Sequence, residues 1–412
     1  MGAGLAGLAA ALSLSAAGQA VTVHESAPSA GGRCRSYFDR ELGLTIDNGN
    51  HLLLSGNAAA MGYLREIGAG DALGGPEEPL FPFVDVARAQ RWMLRINPGR
   101  LPWWILAPSR RVPGTGFRDY LPLMALQRAA DDRSVAELLP RSVLFERLLA
   151  PLAIAALNTP PEQGLARLLG AVVRETLMRG GAACVPRFPR ESLAAAFVEP
   201  AVAALRARGA EVRFGHRISG LTVEAGRVTG LAAADGPMAA EDAVILAVPP
   251  WVAADLLPGL VVPEEFQAIL NAHFRVEADP GVAGFWGVIG GTAEWIFVKP
   301  GHVSVTISAA NRMVDEPAEA IAASVWPDVR VALGLDGKMA AAMPPWRVVK
   351  EKRATFAATA AQERRRPGPR TSLANLFLAG DWTATGLPAT IEGAIRSGRR
   401  AADIAISECP TR

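Results

Sequence analysis

Three glycines at the start of the chain constrain its fold more than any other feature. Gly2, Gly4 and Gly7 form a Gly-x-Gly-x-x-Gly pattern and open an alanine- and leucine-rich stretch that favours a helix up to Gly18. A short apolar stretch then ends on Glu25, 23 residues after Gly2. Backbone N–H groups at a glycine-lined helix N-terminus bind a dinucleotide pyrophosphate, and an acidic side chain at this spacing accepts from a ribose hydroxyl. The pattern predicts a dinucleotide-binding α/β fold; the alternative is a glycine-rich helix start that binds nothing.

Only Met1 precedes this motif, although the motif normally follows a parallel strand. Without that strand, its two neighbours would lose ladder hydrogen bonds. We therefore expect several more apolar residues before Met1 in the native protein. A short form that binds the dinucleotide as tightly as a longer form would contradict this expectation.

Length and charge limit the number of domains and the class of partner. The 412 residues exceed the roughly 250 to 300 at which single cores stop growing, which predicts two domains. Lys and Arg total 42 against 40 Asp and Glu, so the net charge of +2 gives no reason to expect a nucleic-acid partner. A neutral or apolar partner fits this balance better.

The cysteines and the apolar stretches predict neither a metal site nor a membrane span. Cys34, Cys184 and Cys409 lie far apart without Cys-x-x-Cys spacing, which suits a reducing cytoplasm and indicates no disulfide framework and no metal. The best candidate span, residues 243–263, is broken by prolines and Asp255. The first residues lack the charged and apolar regions of a signal peptide and run straight into the glycine motif, so a signal peptide is not expected.

The order of elements predicts a nucleotide domain assembled from several pieces. Strand-like clusters occur at 211–232 and 243–248, a third at 375–379 precedes a helix from about 390 to 407, and residues 283–307 alternate like antiparallel strand. The expected nucleotide domain comprises 1–60, 190–260 and 365–412, and the expected substrate domain comprises 61–189 and 261–364.

Further motifs carry a family resemblance. Gly31-Gly32-Arg33 add a flexible turn and a fixed cation beside the same phosphates. With residues 379–381 (AGD) and 391–394 (IEGA), the set resembles the flavin amine oxidase and phytoene desaturase superfamily. This resemblance implies a Rossmann-like FAD-binding domain of the glutathione-reductase type with an inserted α+β substrate domain.

The resemblance also implies which residues contact FAD. The late Gly-Asp meets the ribityl and phosphate part, and the next helix N-terminus faces the flavin ring, where it stabilises negative charge. No cysteine lies near Asp381, where some amine oxidases link the flavin, so non-covalent FAD is expected. The expected contacts are Gly2, Gly4, Leu5, Ala6, Gly7, Glu25, Gly32, Arg33, Asn50, His51, Ile218, Gly380, Asp381 and Ile391.

Longer motifs narrow the resemblance. Residues 32–37 (GRCRSY), 157–161 (LNTPP), 271–274 (NAHF) and 380–393 (GDWTATGLPATIEG) are similar to the squalene-associated FAD enzymes of bacterial hopanoid synthesis, described as hydroxysqualene dehydroxylases. The similarity runs from Gly2 to about residue 400. It implies that reduced FAD delivers hydride to the carbon that loses hydroxide, which converts the long-chain isoprenoid hydroxysqualene into squalene.

Such a reaction requires an acid, because hydroxide is a poor leaving group, and an apolar wall that excludes water. His51 and His273 are the catalytic candidates, because the chain has only five histidines and the resemblance places these two near the flavin. A packing or backbone-bonding role would explain each histidine as well.

A proline-rich stretch indicates contact with a lipid. Its aromatic members are Trp92, Trp103, Trp104 and Phe117, and its basic members are Arg100, Arg110 and Arg111. The aromatic side chains fit an ordinary core, a polyprenyl channel or the membrane interface. The arginines favour the interface, because their heads meet lipid phosphates. We expect a cytoplasmic protein in peripheral contact with the inner face of the cell membrane.

Other functions and partners remain open from the sequence. A carotenoid or phytoene-type desaturase would move electrons in the opposite direction, and a non-catalytic escort of polyprenyl lipids would bind FAD without turnover. An amine oxidase fits less well, because none of the four lysines lies near 271–273, where a flavin-facing lysine is expected. With no second Gly-x-Gly-x-x-Gly for a nicotinamide, the electrons are expected from a diffusing reductant or a partner reductase, and other squalene-pathway enzymes are candidate partners.

Overall fold

The structure, a computed structural model, describes residues 1–240, 242–335 and 342–409. Its strands are β1 Thr22–His24, β2 Ser36–Asp39, β3 Leu44–Asp47, β4 Leu53–Leu54, β5 Leu73–Gly74, β6 Leu80–Asp85, β7 Gln90–Arg95, β8 Pro186–Pro189, β9 Glu211–Arg213, β10 Ile218–Glu224, β11 Arg227–Ala233, β12 Gly236–Ala239, β13 Val244–Leu246, β14 Phe266–Phe274, β15 Phe285–Ile289, β16 Trp295–Lys299, β17 His302–Ile307, β18 Trp346–Phe356 and β19 Leu376–Leu378. Its α-helices are α1 Leu5–Ala16, α2 Ala58–Glu66, α3 Val135–Leu138, α4 Ala150–Leu157, α5 Ala166–Glu175, α6 Glu199–Ala207, α7 Pro250–Leu256, α8 Ala318–Leu333, α9 Ala360–Glu363 and α10 Ile391–Glu408.

Two pairs of parallel strands lie on either side of the glycine turn and form what we call the parallel layer. β1 pairs with β9, and β13 pairs with β19. Met1 connects the second pair to the turn, because its amino group donates to the carbonyl of Ile245 and its carbonyl accepts from the N–H of Ala247, both at 2.8 Å. The Gly2 N–H donates to the carbonyl of His24 at 2.7 Å, which connects the first pair.

Helices α1 and α10 pack against each other and against the parallel layer. They approach so closely that a Cβ on Gly398 would overlap the carbonyl of Ala6. Helix α10 begins where the Thr390 hydroxyl accepts the N–H of Gly393 at 3.0 Å, a side-chain N-cap. The first and last parts of the chain therefore form one unit.

The largest sheet has the order β18-β14-β17-β16-β15-β6-β7, and we call it the large sheet. The alternation predicted for residues 283–307 appears as β15, β16 and β17. One face is apolar and packs against α8, so that Val298, Val305 and Val325 belong to one apolar cluster. The opposite face carries Trp295 and Phe297 toward the core that includes α5. Since side chains alternate along a strand, both faces are buried.

The smaller sheets are β10-β11-β12, β2-β3 and β4-β8-β5. Among the described residues, no helix is both long enough and apolar enough to cross a membrane. Among those residues, no group of three or more His, Cys, Asp or Glu side chains is placed to hold a metal ion.

Candidate active site

The glycines of the first turn lack a side chain for different physical reasons. A Cβ on Gly2, whose φ is +93°, would overlap the carbonyl of Ala247, and a Cβ on Gly7 would overlap the carbonyl of Gly2. A Cβ on Gly4 would meet no atom within 4 Å. Gly2 and Gly7 are therefore required by packing inside the protein, whereas Gly4 leaves open space in front of the start of α1.

That open space faces backbone donors. The first hydrogen bond of α1 joins the N–H of Leu8 to the carbonyl of Gly4 at 2.9 Å, so the N–H groups of Leu5, Ala6 and Gly7 have no acceptor within the helix. Together with the positive end of the helix dipole, they form a binding site for an anion such as a pyrophosphate.

Glu25 is buried at the end of β1 and holds the turn. Its Oε2 accepts the N–H of Ala3 at 2.7 Å, and its Oε1 accepts the N–H of Ala27 at 2.8 Å. The Ser26 hydroxyl also donates to Oε1, at 3.3 Å. Since each carboxylate oxygen has about two acceptor positions, Oε2 can still accept a ribose hydroxyl. The carbonyl of Glu25 accepts the N–H of His216, which brings the buried Ile218 of β10 to the same end of the layer.

Arg33 joins the first and last segments of the chain. Its guanidinium donates to Asp381 Oδ1 at 2.6 Å and to the carbonyl of Ala354. Gly31 forms a β-bridge to Gly4. This bridge places the next two residues, Gly32 and Arg33, beside the start of α1. Asp381 and Ile391 are both buried, and the N–H of Gly380 donates to Ser397 at 3.0 Å.

The N-termini of α10 and α2 share one carboxylate. Glu392 accepts the N–H of Ala59 at 3.0 Å and that of Ala60 at 2.8 Å, which caps α2. Arg396 bridges Glu392 to Glu175. These charges are internally paired, so the start of α10 is held against α2 by charge-assisted hydrogen bonds.

A set of polar side chains crosses one end of the large sheet and meets residues 47–50. We call this set the buried polar cluster; its members are Asp47, Asn50, Asn271, His273, Lys299, Ser304 and Thr306. In the sheet, Asn271 lies opposite Thr306 and His273 lies opposite Ser304. Polar residues thus occupy the same sheet face on which Trp295 and Phe297 lie further along.

Donor and acceptor directions in the buried polar cluster follow from fixed backbone groups. Asn271 Nδ2 donates to the carbonyl of Asn48 at 3.2 Å, so Asn271 Oδ1 must be the atom that accepts from the Thr306 hydroxyl at 2.8 Å. That hydroxyl has only one proton, so its oxygen accepts from Asn50 Nδ2 at 3.0 Å. The orientation of the Asn50 amide is therefore determined.

His273 is the last member of this chain of hydrogen bonds. Asn50 Nδ2 donates its other proton to Ser304 Oγ at 2.7 Å, and that hydroxyl forms a hydrogen bond at 3.0 Å with Nδ1 of His273. The side chain of His273 is fully buried, and burial, reinforced by His302 and Lys299, lowers its pKa to about 3. His273 is neutral at pH 7.

His51 follows Asn50 and is partly buried. Burial lowers its pKa to about 4, with Arg33 and Lys299 acting in the same direction and Asp47 opposing. His51 is therefore also neutral at pH 7. His51 is the chain neighbour of Asn50, and Asn50 is linked to His273 through Ser304. The position of both histidines near the flavin stays a prediction.

An ion pair between Asp47 and Lys299 lies beside this group and was missed by the sequence analysis. Lys299 Nζ donates to Asp47 Oδ2, and both side chains are almost fully buried. Burial alone would raise the pKa of Asp47, but Lys299, Ser36 and the N–H of Leu193 outweigh it and lower that pKa. The signal in the sequence was the alternation in β17, where His302, Ser304 and Thr306 interrupt an apolar strand.

These features fit a bound FAD. An open space lies at a helix N-terminus, a carboxylate has acceptor capacity for a ribose, and the Arg33–Asp381 pair is adjacent. Asn50 Oδ1 is buried and has no donor among the described residues, which leaves one oriented acceptor for a ligand. The individual contacts remain predictions.

Comparisons with known proteins agree with this site. The family model "Flavin containing amine oxidoreductase" matches residues 5–406. A hydroxysqualene dehydroxylase of Rhodopseudomonas palustris is 52% identical over 99% of this chain and 97% of its own length. A hydroxysqualene dehydroxylase of Zymomonas mobilis is 45% identical over 99% of this chain and 98% of its own length.

Solved structures show the same fold. An oxidoreductase from Methanosarcina mazei has a TM-score of 0.70 at 16% identity, over 98% of both chains. Cyclohexylamine oxidase from Brevibacterium oxydans has a TM-score of 0.69 at 16% identity, over 99% of this chain and 98% of that one. The expected α/β class, a Rossmann-like nucleotide domain with a substrate domain, is confirmed. The chain therefore belongs to the flavin containing amine oxidoreductase family and, within it, to the hydroxysqualene dehydroxylases.

Proposed function

We propose that this chain removes the hydroxyl group of hydroxysqualene reductively and so forms squalene for hopanoid or other triterpenoid synthesis, with FAD as its cofactor. The observation that carries this proposal is the 45–52% identity to three hydroxysqualene dehydroxylases along nearly the whole chain. These alignments cover nearly the whole chain, so they include every segment that contributes to the site: the start, the middle and the end.

Reduced FAD, when bound, supplies the hydride that replaces the hydroxyl group. The remaining requirement is one proton, because the carbon–oxygen bond breaks as a carbon–hydrogen bond forms and the departing hydroxide leaves as water. The residues that would hold FAD are those predicted from the sequence, from the Gly2–Gly7 turn through Glu25 and Arg33 to Asp381 and Ile391.

His51 is our first candidate for handling that proton. Because it is neutral at pH 7, it would donate a hydrogen bond from its ring N–H to the departing oxygen instead of presenting a fixed positive charge. His273 is enclosed and bonded to Ser304, so in this proposal it acts as a positioning residue that orients Asn50 through Ser304. Aromatic side chains such as Trp295 and Phe297 would form the apolar wall.

Replacing either histidine separates these roles. We expect His51→Gln to lower turnover strongly while FAD stays bound, and His273→Gln to lower turnover less and to reduce thermal stability as well. The flavin absorbance of the purified variants checks that the cofactor is retained. Unchanged turnover in both variants would end the proposal for the histidines without affecting the proposed reaction.

The reaction itself is tested with the purified protein. The enzyme-bound flavin is reduced under anaerobic conditions and mixed with hydroxysqualene, and we expect the flavin to be oxidised as squalene forms in equal amount. A desaturase, mixed with a polyene while its flavin is oxidised, would instead reduce that flavin. An escort would bind the lipid and leave the flavin unchanged. Either result would contradict the proposal.

The long apolar substrate also suggests where the protein works. We propose that it operates in the cytoplasm as a peripheral protein at the inner face of the cell membrane, where such an isoprenoid dissolves. Electrons would come from a diffusing reductant or a partner reductase, and neighbouring squalene-pathway enzymes are candidate partners.

A further inference from the structure

Six large apolar side chains are exposed within one short stretch of the chain. They are Leu101, Trp103, Leu106, Phe117, Leu121 and Met124, and we call them the apolar surface 101–124. Leu101 is 81% exposed and Leu106 is 62% exposed. Single exposed apolar residues are ordinary on a protein, but a contiguous group marks a contact with another phase or another molecule.

This surface is held in place by buried partners. It is carried by 3₁₀ turns at Trp103–Leu106 and Phe117–Arg128. Trp104, the neighbour of Trp103, is buried and packs edge-to-face on Tyr120, with 5.2 Å between ring centroids. The Tyr120 hydroxyl accepts the N–H of Val112 at 3.1 Å. The inward side chains anchor both turns to the core, so the outward ones are presented together.

The loop that leads into the first turn is fixed in the same way. Asn97 Oδ1 accepts the N–H of Trp104 at 3.2 Å, while Asn97 Nδ2 donates to the carbonyl of Leu101 at 3.0 Å. Asn97 is itself buried. A buried amide that uses both its donor and its acceptor on one loop specifies that loop's shape.

The four aromatic residues predicted to contact lipid divide into two buried and two exposed side chains. Trp92 is buried and stacks on Phe83 with 5.5 Å between centroids, and Trp104 is buried as described. These two tryptophans are core residues, so the membrane-interface interpretation is wrong for them. Trp103 and Phe117 are exposed and keep that interpretation.

The charges around the surface have one predominant sign. Residues 98–128 contain five arginines and one aspartate, in a chain whose net charge is only +2. Arg110 lies over the Trp103 ring, 4.6 Å from its centroid, and Arg118 lies near the Phe117 ring at 5.8 Å. An arginine over an exposed aromatic ring can bind a phosphate while the ring enters an apolar phase.

We propose that the apolar surface 101–124 inserts into the headgroup region of an anionic lipid bilayer and holds the protein on the membrane. The purpose of this contact rests on the proposed function, because an isoprenoid substrate dissolves in the bilayer. The arginines favour a bilayer over a second copy of this chain as the partner of this surface. A second copy would place two arginine-rich surfaces face to face, and their like charges would repel each other. The 3₁₀ turns lie on the membrane and do not cross it.

Vesicle flotation tests the proposal without any substrate. The full chain with FAD is mixed with phosphatidylcholine vesicles or with vesicles that also contain phosphatidylglycerol, at low and at high salt. We expect binding to the anionic vesicles that weakens with salt, and an affinity at least about tenfold lower for the variant Leu101→Ser, Trp103→Ser, Leu106→Ser. Replacing Arg110 and Arg111 with Gln should reduce anionic binding by about fivefold for each arginine.

A matched control replaces exposed apolar residues elsewhere. Val223, Val261 and Val282 are 45%, 57% and 68% exposed, and changing all three to Ser should leave vesicle binding unchanged. Absence of binding by the unchanged protein would overturn the proposal, as would equal binding by the Leu101, Trp103 and Leu106 variant. A change from dimer to monomer in that variant, with vesicle binding intact, would assign the surface to a second copy.

The proposed function is tested separately, because the flotation assay contains no hydroxysqualene. A protein that binds vesicles but forms no squalene would refute the reaction and keep the membrane contact. A protein that forms squalene in detergent but ignores vesicles would refute the contact and keep the reaction.

Discussion

The apolar surface 101–124 and the buried polar cluster depart from the normal distribution of side chains in opposite directions. The first places Leu101 and Trp103 in solvent, whereas the second places Lys299 and Asp47 where water does not reach. Each arrangement lowers the stability of the folded protein and is not required to form the fold. Functional sites are expected at such positions, because other parts of the protein must compensate for the lost stability.

The two regions differ in how much the fold depends on them. In the polar cluster, Asp47 pairs with Lys299, and the remaining members are joined to one another by hydrogen bonds. Removing one member therefore leaves others buried without partners. The outward side chains of the apolar surface touch solvent, and their removal leaves nothing unpaired. Mutations should therefore affect stability in the cluster and membrane binding at the surface.

The largest loss of stability is expected from Lys299→Met. It leaves the Asp47 carboxylate buried without its cation, which should lower the free energy of unfolding by about 3–5 kcal/mol. Urea denaturation of the FAD-bound protein measures the change. The matched control is Lys352→Met, because Lys352 pairs with Asp315 at 2.7 Å in an exposed position, where solvent screening leaves the pair with little effect on stability. Equal losses in the two variants would refute the distinction between the two pairs.

A smaller loss is expected from Ser304→Ala. This change removes the hydroxyl that accepts from Asn50 and is hydrogen-bonded to His273, which should lower the free energy of unfolding by about 1–3 kcal/mol. Ser219→Ala serves as control, because Ser219 is exposed and should change stability by less than about 0.5 kcal/mol. If Ser304→Ala unfolds at the same urea concentration as the unchanged protein, the derived network does not hold the sheet to residues 47–50.

The parts of the fold that depend on neighbouring residues could be predicted from the sequence. The helix expected from about 390 to 407 is observed as Ile391–Glu408, and the alternation at 283–307 gives β15 to β17. These features follow from local spacing, which is independent of how distant segments meet. The proposed domain boundaries stay predictions of the same kind.

The buried polar cluster could not be predicted, because it depends on pairing between distant segments. Asp47 and Lys299 are 252 residues apart, and their contact requires both the register of β16 against β17 and the docking of β3 on the large sheet. The motif at 157–161 illustrates the same limit: Asn158 adopts a left-handed φ of 47° and bonds Ala309 and Thr355, so it joins α4 to the sheet. The 3₁₀ turn at Trp103–Leu106 likewise determines that Trp103 faces outward and Trp104 faces inward.

The acid sensitivity of the protein should come from the enclosed histidines. The pKa of His51 lies at about 4, below the ordinary 6.5, so between these values the unfolded chain binds more protons than the native protein. The free energy of unfolding should therefore fall as the pH drops from 6.5 to 4, by up to about 1.4 kcal/mol per pH unit for each such histidine. His24, with a pKa of about 4, and His273 add to this slope.

His51→Gln checks this pH dependence with little disturbance, because no hydrogen bond of the described residues involves the His51 side chain. Its unfolding free energy should decline less steeply below pH 6.5 than that of the unchanged protein, and the two should run parallel above pH 7. An identical slope in the acid range would mean that His51 titrates normally in the native state, which would also weaken its proposed role as a neutral hydrogen-bond donor.

The smallest change in stability is expected at the apolar surface 101–124. The variant Leu101→Ser, Trp103→Ser, Leu106→Ser removes side chains that face solvent, so each substitution should alter the free energy of unfolding by less than about 0.5 kcal/mol. Trp104→Ala, one residue away on the inward side, should cost about 3–5 kcal/mol because it empties a packed position against Tyr120. Urea denaturation of both variants compares the two sides of one turn. A large loss in the outward variant would mean that these side chains support the fold, and reduced vesicle binding could then no longer be assigned to lost contact with the bilayer.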